Sequence, residues 1–240
     1  MSKEKKLDEV DELLVNFYKR YNNAIKNYRI NNFIHELNEE FCDISELKKV
    51  TVLIATENIR FVPIIACAYA DDLLKFSFKA LLPDDIPGGK TDMFSPFGPL
   101  SDFSKRLRLA YAFDVFSPFL IRDLNVIKSI RNKIAHSWEL KSLDNLIVDA
   151  LGNISSIEDI FFETDDTLIS KDLFDKSTFA KFRLRLIWII SAIFYESPVY
   201  AKAKKLNLNP HQILYSEAPP KRLGEIVKAS YLACKSIEES

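Results

Sequence analysis

Three residues near the middle of the chain, Arg131, Asn132 and His136, have side chains suited to phosphate chemistry. They belong to the segment R-N-K-I-A-H-S, residues 131–137. The arginine guanidinium is always charged, and an imidazole that titrates near neutral pH can accept a proton as a general base. Asn132 can hydrogen-bond a phosphate oxygen or orient the imidazole. The three residues are therefore our candidates for catalysis on a phosphate ester.

An amphipathic helix must position these residues. Leu124, Ile127, Ile130 and Ile134 recur with helical spacing and predict one apolar face. On an ideal helix the side chains of Arg131 and His136 point about 140° apart, so they become neighbours only if the helix is distorted or a second copy contributes. A second interpretation stays open. Cationic groups at a helix C-terminus complement its dipole, and both residues can tie helices together without any chemistry.

The R-x(4)-H spacing at the end of this helix resembles the R-x(4–6)-H signature of the HEPN superfamily. The resemblance implies a helical bundle, and a metal-independent ribonuclease that acts as a homodimer. In that function His136 would accept the proton of the RNA 2′-hydroxyl, Arg131 would stabilise the charge of the transition state, and Asn132 would assist. The spacing alone carries little weight, because Arg29 and His35 also satisfy the loose pattern.

Several longer segments are similar to the mannitol-repressor (MltR-like) family, which has a HEPN-type bundle. They comprise Glu57 with Arg60, A-C-A-Y-A-D-D-L-L (66–74), F-G-P-L-S-D-F-S-K-R-L-R-L-A-Y-A (97–112), the segment around Arg131, and the basic-to-apolar helix from Lys181. This resemblance implies a non-catalytic regulator, related to transcription or stress, that works through protein contacts. Two other functions stay open. One is a toxin or defence nuclease with an antitoxin or regulatory protein partner, and the other is an antidote-like or scaffold protein.

Composition narrows the class of protein. The 33 basic and 34 acidic residues nearly cancel, so any contact with RNA must come from a local basic patch. We expect Lys105, Arg106, Arg108, Lys128 and Lys133 to supply it. The three cysteines are scattered, and no His/Cys/Asp cluster has metal-ligand spacing, so we predict neither a metal nor a cofactor.

The pattern predicts an all-α protein in three parts. These are an N-terminal helical hairpin (1–45), a helical bundle (46–196) and a C-terminal helical extension (197–240); the resemblance implies that the bundle is of HEPN/MltR type. The charged N-terminus contains no apolar segment typical of a signal peptide, and the longest apolar run is about half a membrane span, so we expect a cytoplasmic protein.

Individual boundaries and side chains follow from local signals. We expect two helices that meet near Asn58, a loop over 83–99, and a helix from Thr178 that ends at Ser197-Pro198. The Gly-Gly-Lys-Thr run in that loop lacks the spacing of a phosphate-binding loop. Asp71 and Asp72 are interpreted as structural partners of Arg60 or Arg108 rather than as a paired-carboxylate site. The phenylalanines, Trp138 and Trp188 are predicted to lie in the core.

Overall fold

The computed structural model describes residues 44–136, 143–156, 171–205 and 221–238. In this part of the chain every regular element is a helix and no strand occurs, which confirms the all-α prediction. The nine helices described are α1 (Ser45–Thr56), α2 (Val62–Leu81), α3 (Gly89–Phe94), α4 (Phe103–Ala112), α5 (Pro118–His136), α6 (Leu143–Leu151), α7 (Lys171–Lys176), α8 (Thr178–Lys205) and α9 (Lys221–Glu238).

The chain divides into two units, Met1–Cys42 and Asp43–Ser240, and all nine helices belong to the second. The two helices predicted before residue 42 lie outside the described residues, and so does Trp138. None of the described helices combines the length and the apolar character needed to cross a bilayer.

Helix α8 lies at the centre of the bundle. It packs against α1, α2, α5, α6, α7 and α9, and its side chains are buried on nearly every side, including Leu186, Ile187, Ile190 and Ile193. A helix that is apolar all round belongs in the interior. The sequence predicted this segment as the closing helix of the bundle, and the structure makes it the helix around which the others assemble.

The predicted end of α8 at Ser197-Pro198 is wrong, because the helix continues through Pro198 to Lys205. A proline inside a helix removes one backbone hydrogen bond and usually bends or ends the helix. Here the packing continues on both sides of the proline. Val199 and Tyr200 are fully buried, and the hydroxyl of Ser197 hydrogen-bonds that of Ser77 on α2. Tertiary packing therefore outweighs the local signal.

Other boundaries follow the local signals more closely. The β-branched run before residue 57 is helical, and the chain breaks between α1 and α2 at residues 57–61, as predicted near Asn58. Pro63 lies in the first turn of α2, where its missing N–H costs nothing. The predicted loop over 83–99 contains the short helix α3, which begins after Gly88 in a left-handed conformation (φ 81°). Asp102 caps α4 by accepting the backbone N–H of Lys105 at 2.9 Å.

Arginines of α8 hold the C-terminal ends of two other helices. The guanidinium of Arg183 donates to the backbone carbonyls of Ile54 and Glu57 at the end of α1. Arg185 donates to the carbonyls of Leu151 and Ile154 at the end of α6. The last carbonyls of a helix have no partner within it, so these contacts satisfy them and complement the helix dipoles. The basic first half of α8 is thus structural.

The N-terminus of α5 is held by a carboxylate from α8. Glu196 accepts the backbone N–H of Ser117 at 2.9 Å through one oxygen and the hydroxyl of Ser117 at 2.9 Å through the other. Burial raises the pKa of this carboxyl above its ordinary value, and the two hydrogen bonds from Ser117 oppose that shift. The folded protein therefore holds a proton on Glu196 more tightly than the unfolded chain does.

This raised pKa predicts a pH-dependent difference in stability between the wild type and Glu196→Gln. The contribution of Glu196 is fully present below its unfolded pKa and is lost as pH rises through the higher folded pKa. The free energy of unfolding of the wild type should therefore fall relative to that of Glu196→Gln as pH rises above the ordinary carboxyl pKa of 4.5, measured by urea titration at a series of pH values. Glu46→Gln, at an exposed position of α1, is the control for the loss of a carboxylate. A difference that is constant, or that grows with pH in favour of the wild type, would contradict the prediction.

Candidate functional site

The last two turns of α5 present Arg131, Asn132 and His136 to solvent. All three side chains are exposed, while Ile130, which precedes Arg131, and Ile134 are buried in the bundle. The apolar stripe predicted from the sequence therefore anchors these turns, and the polar residues project away from it. Lys133 and His136 lie in the last turn, where positive charge complements the helix dipole.

The contacts of these side chains are local. Arg131 donates from its Nη1 to Oδ1 of the neighbouring Asn132 at 2.9 Å. Among the described residues, no hydrogen bond or ion pair connects Arg131 or His136 to another helix. Other polar side chains of the described part of the chain do connect helices: Arg183, Arg185 and Glu196.

The side chains of Arg131 and His136 diverge. Helix α5 is continuous to His136, so five residues of helical rotation separate their directions by about 140°. The charge of Arg131 reaches helix α2. Burial raises the pKa of the Cys67 thiol on α2 to about 12, and the charges of Arg131 and Lys128 act against that shift. Within one chain, the phosphate-binding group of Arg131 and the proton-accepting group of His136 therefore do not converge on a single point.

The predicted RNA-binding residues fall into two groups. Arg108 and Lys133 are exposed, Lys128 donates to Oδ1 of Asn125 at 2.9 Å, and Lys105 donates to the hydroxyl of Ser101 at 2.7 Å. These four have their ammonium or guanidinium groups at or near the surface. The prediction for the fifth, Arg106, is wrong, because its guanidinium lies inside the bundle.

Arg106 is buried, with 2 % of its surface exposed, and is committed to the structure. Its Nε donates to Oδ1 of Asp71 at 2.8 Å, its Nη2 donates to the same oxygen, and its Nη1 donates to the carbonyl of Leu100. A buried guanidinium with its donors paired inside the protein is unavailable to RNA.

The structural interpretation of Asp71 is correct, but its partner is Arg106 rather than Arg60 or Arg108. Asp71 also lies 3.4 Å from Nζ of Lys75, one turn further along α2. The adjacent Asp72 is exposed and lies 3.4 Å from the same ammonium. The two carboxylates therefore serve different contacts. Nowhere in the described ranges do three His, Cys, Asp or Glu side chains converge as a metal site would require.

The sequence did not reveal a group of exposed aromatic side chains where α4 joins α5. Tyr111, Phe113 and Phe119 are 68 %, 64 % and 68 % exposed, although the phenylalanines were predicted to lie in the core. Phe116, between them, is buried, as predicted. The helical phase offered a signal for Phe119, because it falls outside the apolar stripe of Leu120, Leu124 and Ile127.

No protein-family model, no curated protein and no solved structure matches this chain. The resemblance to the HEPN superfamily and to the mannitol-repressor family therefore rests on the residues quoted from the sequence. A function for the chain has to be inferred from those residues and from their geometry.

Proposed function

We propose that this protein is a metal-independent endoribonuclease of HEPN type that acts as a homodimer, as a cytoplasmic toxin or defence effector. The observation that carries the proposal is the exposure of Arg131, Asn132 and His136 together at the end of α5. Other charged groups of the bundle, such as Arg106, Arg183 and Arg185, are engaged with backbone carbonyls or a carboxylate. The three candidate residues project into solvent, where a substrate can reach them.

These groups suffice for RNA cleavage by the substrate's own nucleophile. A neutral His136 accepts the proton of the 2′-hydroxyl, and the 2′-oxygen attacks the adjacent phosphorus. The bond from phosphorus to the 5′-oxygen breaks, and that oxygen takes a proton from an imidazolium. Arg131 neutralises the charge that builds on the phosphate oxygens in the transition state. The products are a 2′,3′-cyclic phosphate and a free 5′-hydroxyl.

The divergence of Arg131 and His136 supports a dimer. In a two-fold dimer the same surface of both copies meets, and we propose that this surface includes the end of α5, which then lies against the end of α5 of the partner. Arg131 of one copy and His136 of the other can then face a single phosphate, and the His136 imidazolium formed in the first step can return its proton to the leaving oxygen. Arg131 and His136 point about 140° apart on one helix, and they can thus act together only across the interface.

Cleavage of RNA by the purified protein in excess EDTA tests the proposal. We expect endonucleolytic products that end in a 2′,3′-cyclic phosphate, because the proposed chemistry uses only side chains and the 2′-hydroxyl. A DNA strand of the same sequence should remain intact, since it lacks the nucleophile. A folded, dimeric protein that leaves a panel of single-stranded and structured RNAs intact would contradict the nuclease function.

A regulator of the mannitol-repressor kind, which works through protein contacts, is the second candidate. The exposed Tyr111, Phe113 and Phe119 favour it, because aromatic side chains are enriched at the centres of protein interfaces. An antitoxin or regulatory protein would be the partner. Overproduction of the chain in a bacterial host separates the two: the nuclease should arrest growth and the regulator should not.

A further inference from the structure

We infer that the junction of α4 and α5 binds unpaired bases of single-stranded RNA and guides the strand along α5 toward His136. The inference rests on the proposed nuclease function and adds the form of RNA that the protein accepts. We call the group Tyr111, Phe113 and Phe119 the aromatic corner. Its three rings are about two-thirds exposed, far more than expected of aromatic side chains that serve the core.

An arginine accompanies an aromatic side chain on each helix of the corner. On α5 the guanidinium of Arg122 lies over the ring of Phe119, 5.5 Å from its centroid. On α4 the exposed Arg108 precedes Tyr111 by three residues, which places both on one helical face. Rings on which bases stack, next to cations that bind the phosphates, are the combination that proteins use for single-stranded nucleic acid.

A polar stripe connects the corner with the candidate catalytic residues. The exposed residues of α5 recur every three or four positions and therefore share one face: Arg122, Asn125, Ser129, Lys133 and His136. From Phe119 to His136 the helix rises about 25 Å. A strand anchored on the aromatic corner can follow this face and bring a phosphate to His136.

The charge of α5 favours a nucleic acid. The helix carries Arg122, Lys128, Arg131 and Lys133 against a single carboxylate, Asp123. That carboxylate is buried and accepts both the backbone N–H and the hydroxyl of Ser155 at 3.1 Å. Its Oδ1 also lies 3.6 Å from Nε of Arg122, so it offsets part of the charge of that arginine. Asp114 is the acidic residue of the connecting loop. A chain whose overall charge is −1 thus concentrates positive charge on this helix. Arg122 and Lys133 lie on the polar stripe, and Lys128 and Arg131 lie on other faces of the helix.

Single strands should bind in preference to duplexes, because the bases of a duplex are stacked inside it and cannot lie on protein rings. The test uses a fluorescent 2′-O-methyl oligoribonucleotide, which lacks the nucleophile and remains uncleaved. We expect the wild type to bind the single strand more tightly than the duplex. Phe119→Ala and Tyr111→Ala should each weaken single-strand binding by about tenfold. Arg108→Ala should reduce the salt dependence of binding by about one phosphate contact.

Leu232→Ala is the matched control, because Leu232 is 48 % exposed on α9, which packs on α1 and α8. Its affinity for the single strand should equal that of the wild type. Single-strand binding that is unaffected by Phe119→Ala and Tyr111→Ala would overturn the inference and leave the aromatic corner to a protein partner. A wild-type protein that binds the duplex more tightly than the single strand would also overturn the inference. Binding is measured with an oligonucleotide that is not cleaved. If the aromatic corner binds this single strand but the protein does not cleave RNA, the nuclease function alone is refuted.

Discussion

Replacement of His136 by alanine is expected to lower the rate of RNA cleavage by about 10²- to 10⁴-fold, the usual contribution of general acid–base catalysis. Arg131→Ala should cost about 10²- to 10³-fold, because it removes the charge that stabilises the transition state. Both residues are exposed, so their removal should change the free energy of unfolding by less than about 0.5 kcal/mol. Initial rates on a fluorescent RNA, with thermal unfolding of each variant beside them, measure both effects.

The chain provides its own control for these substitutions. Arg29 and His35 satisfy the same loose pattern of arginine followed by histidine, with five residues between them. Arg29→Ala and His35→Ala should therefore leave the cleavage rate unchanged if the end of α5 is the site. Loss of cleavage in these variants, with retention in His136→Ala, would move the catalytic assignment to the N-terminal segment.

The buried ion pair between Asp71 and Arg106 should contribute more to the stability of the fold than the surface ion pairs of the bundle. Asp71→Ala leaves the guanidinium of Arg106 buried and without its carboxylate, for which a loss of about 3–5 kcal/mol in the free energy of unfolding is typical. Arg106→Ala should be as harmful, since it also removes the donor to the carbonyl of Leu100. Urea unfolding followed by circular dichroism measures the loss.

Asp72→Ala is the matched control for Asp71→Ala. Asp72 is the next residue of α2, but its side chain is 75 % exposed and pairs with Lys75 at the surface. Such a pair contributes about 0–1 kcal/mol. Equal losses for the two substitutions would show that the contact with Arg106 does not stabilise the fold.

The sequence predicted most of the helices because their signals are local. Pro118 begins α5, Gly152 follows the end of α6, and the apolar period identifies α2 and α5. The continuation of α8 past Pro198 was not predictable in this way. It depends on packing around Tyr200 and on the hydrogen bond between Ser197 and Ser77, which lie 120 residues apart in the sequence.

The same limit applies to the side chains. Lys105, Arg106 and Arg108 are all basic residues of one helix. Arg106 is buried and pairs with Asp71, which lies 35 residues earlier in the sequence, whereas Arg108 is exposed. The divergence of Arg131 and His136 did follow from the helical period. In our proposal a second copy of the chain completes their site, and a sequence pattern within one chain does not contain the interface that two chains form.

A mixture of two inactive variants tests the central claim most directly. Arg131→Ala and His136→Ala are purified separately, then unfolded and refolded together so that mixed dimers form. If each site combines Arg131 of one copy with His136 of the other, a mixed dimer retains one intact site. The mixture should then regain about a quarter of the wild-type cleavage rate, since half of the dimers are mixed. A mixture as inactive as its components, beside a wild type that cleaves RNA after the same treatment, would contradict a site shared between two chains.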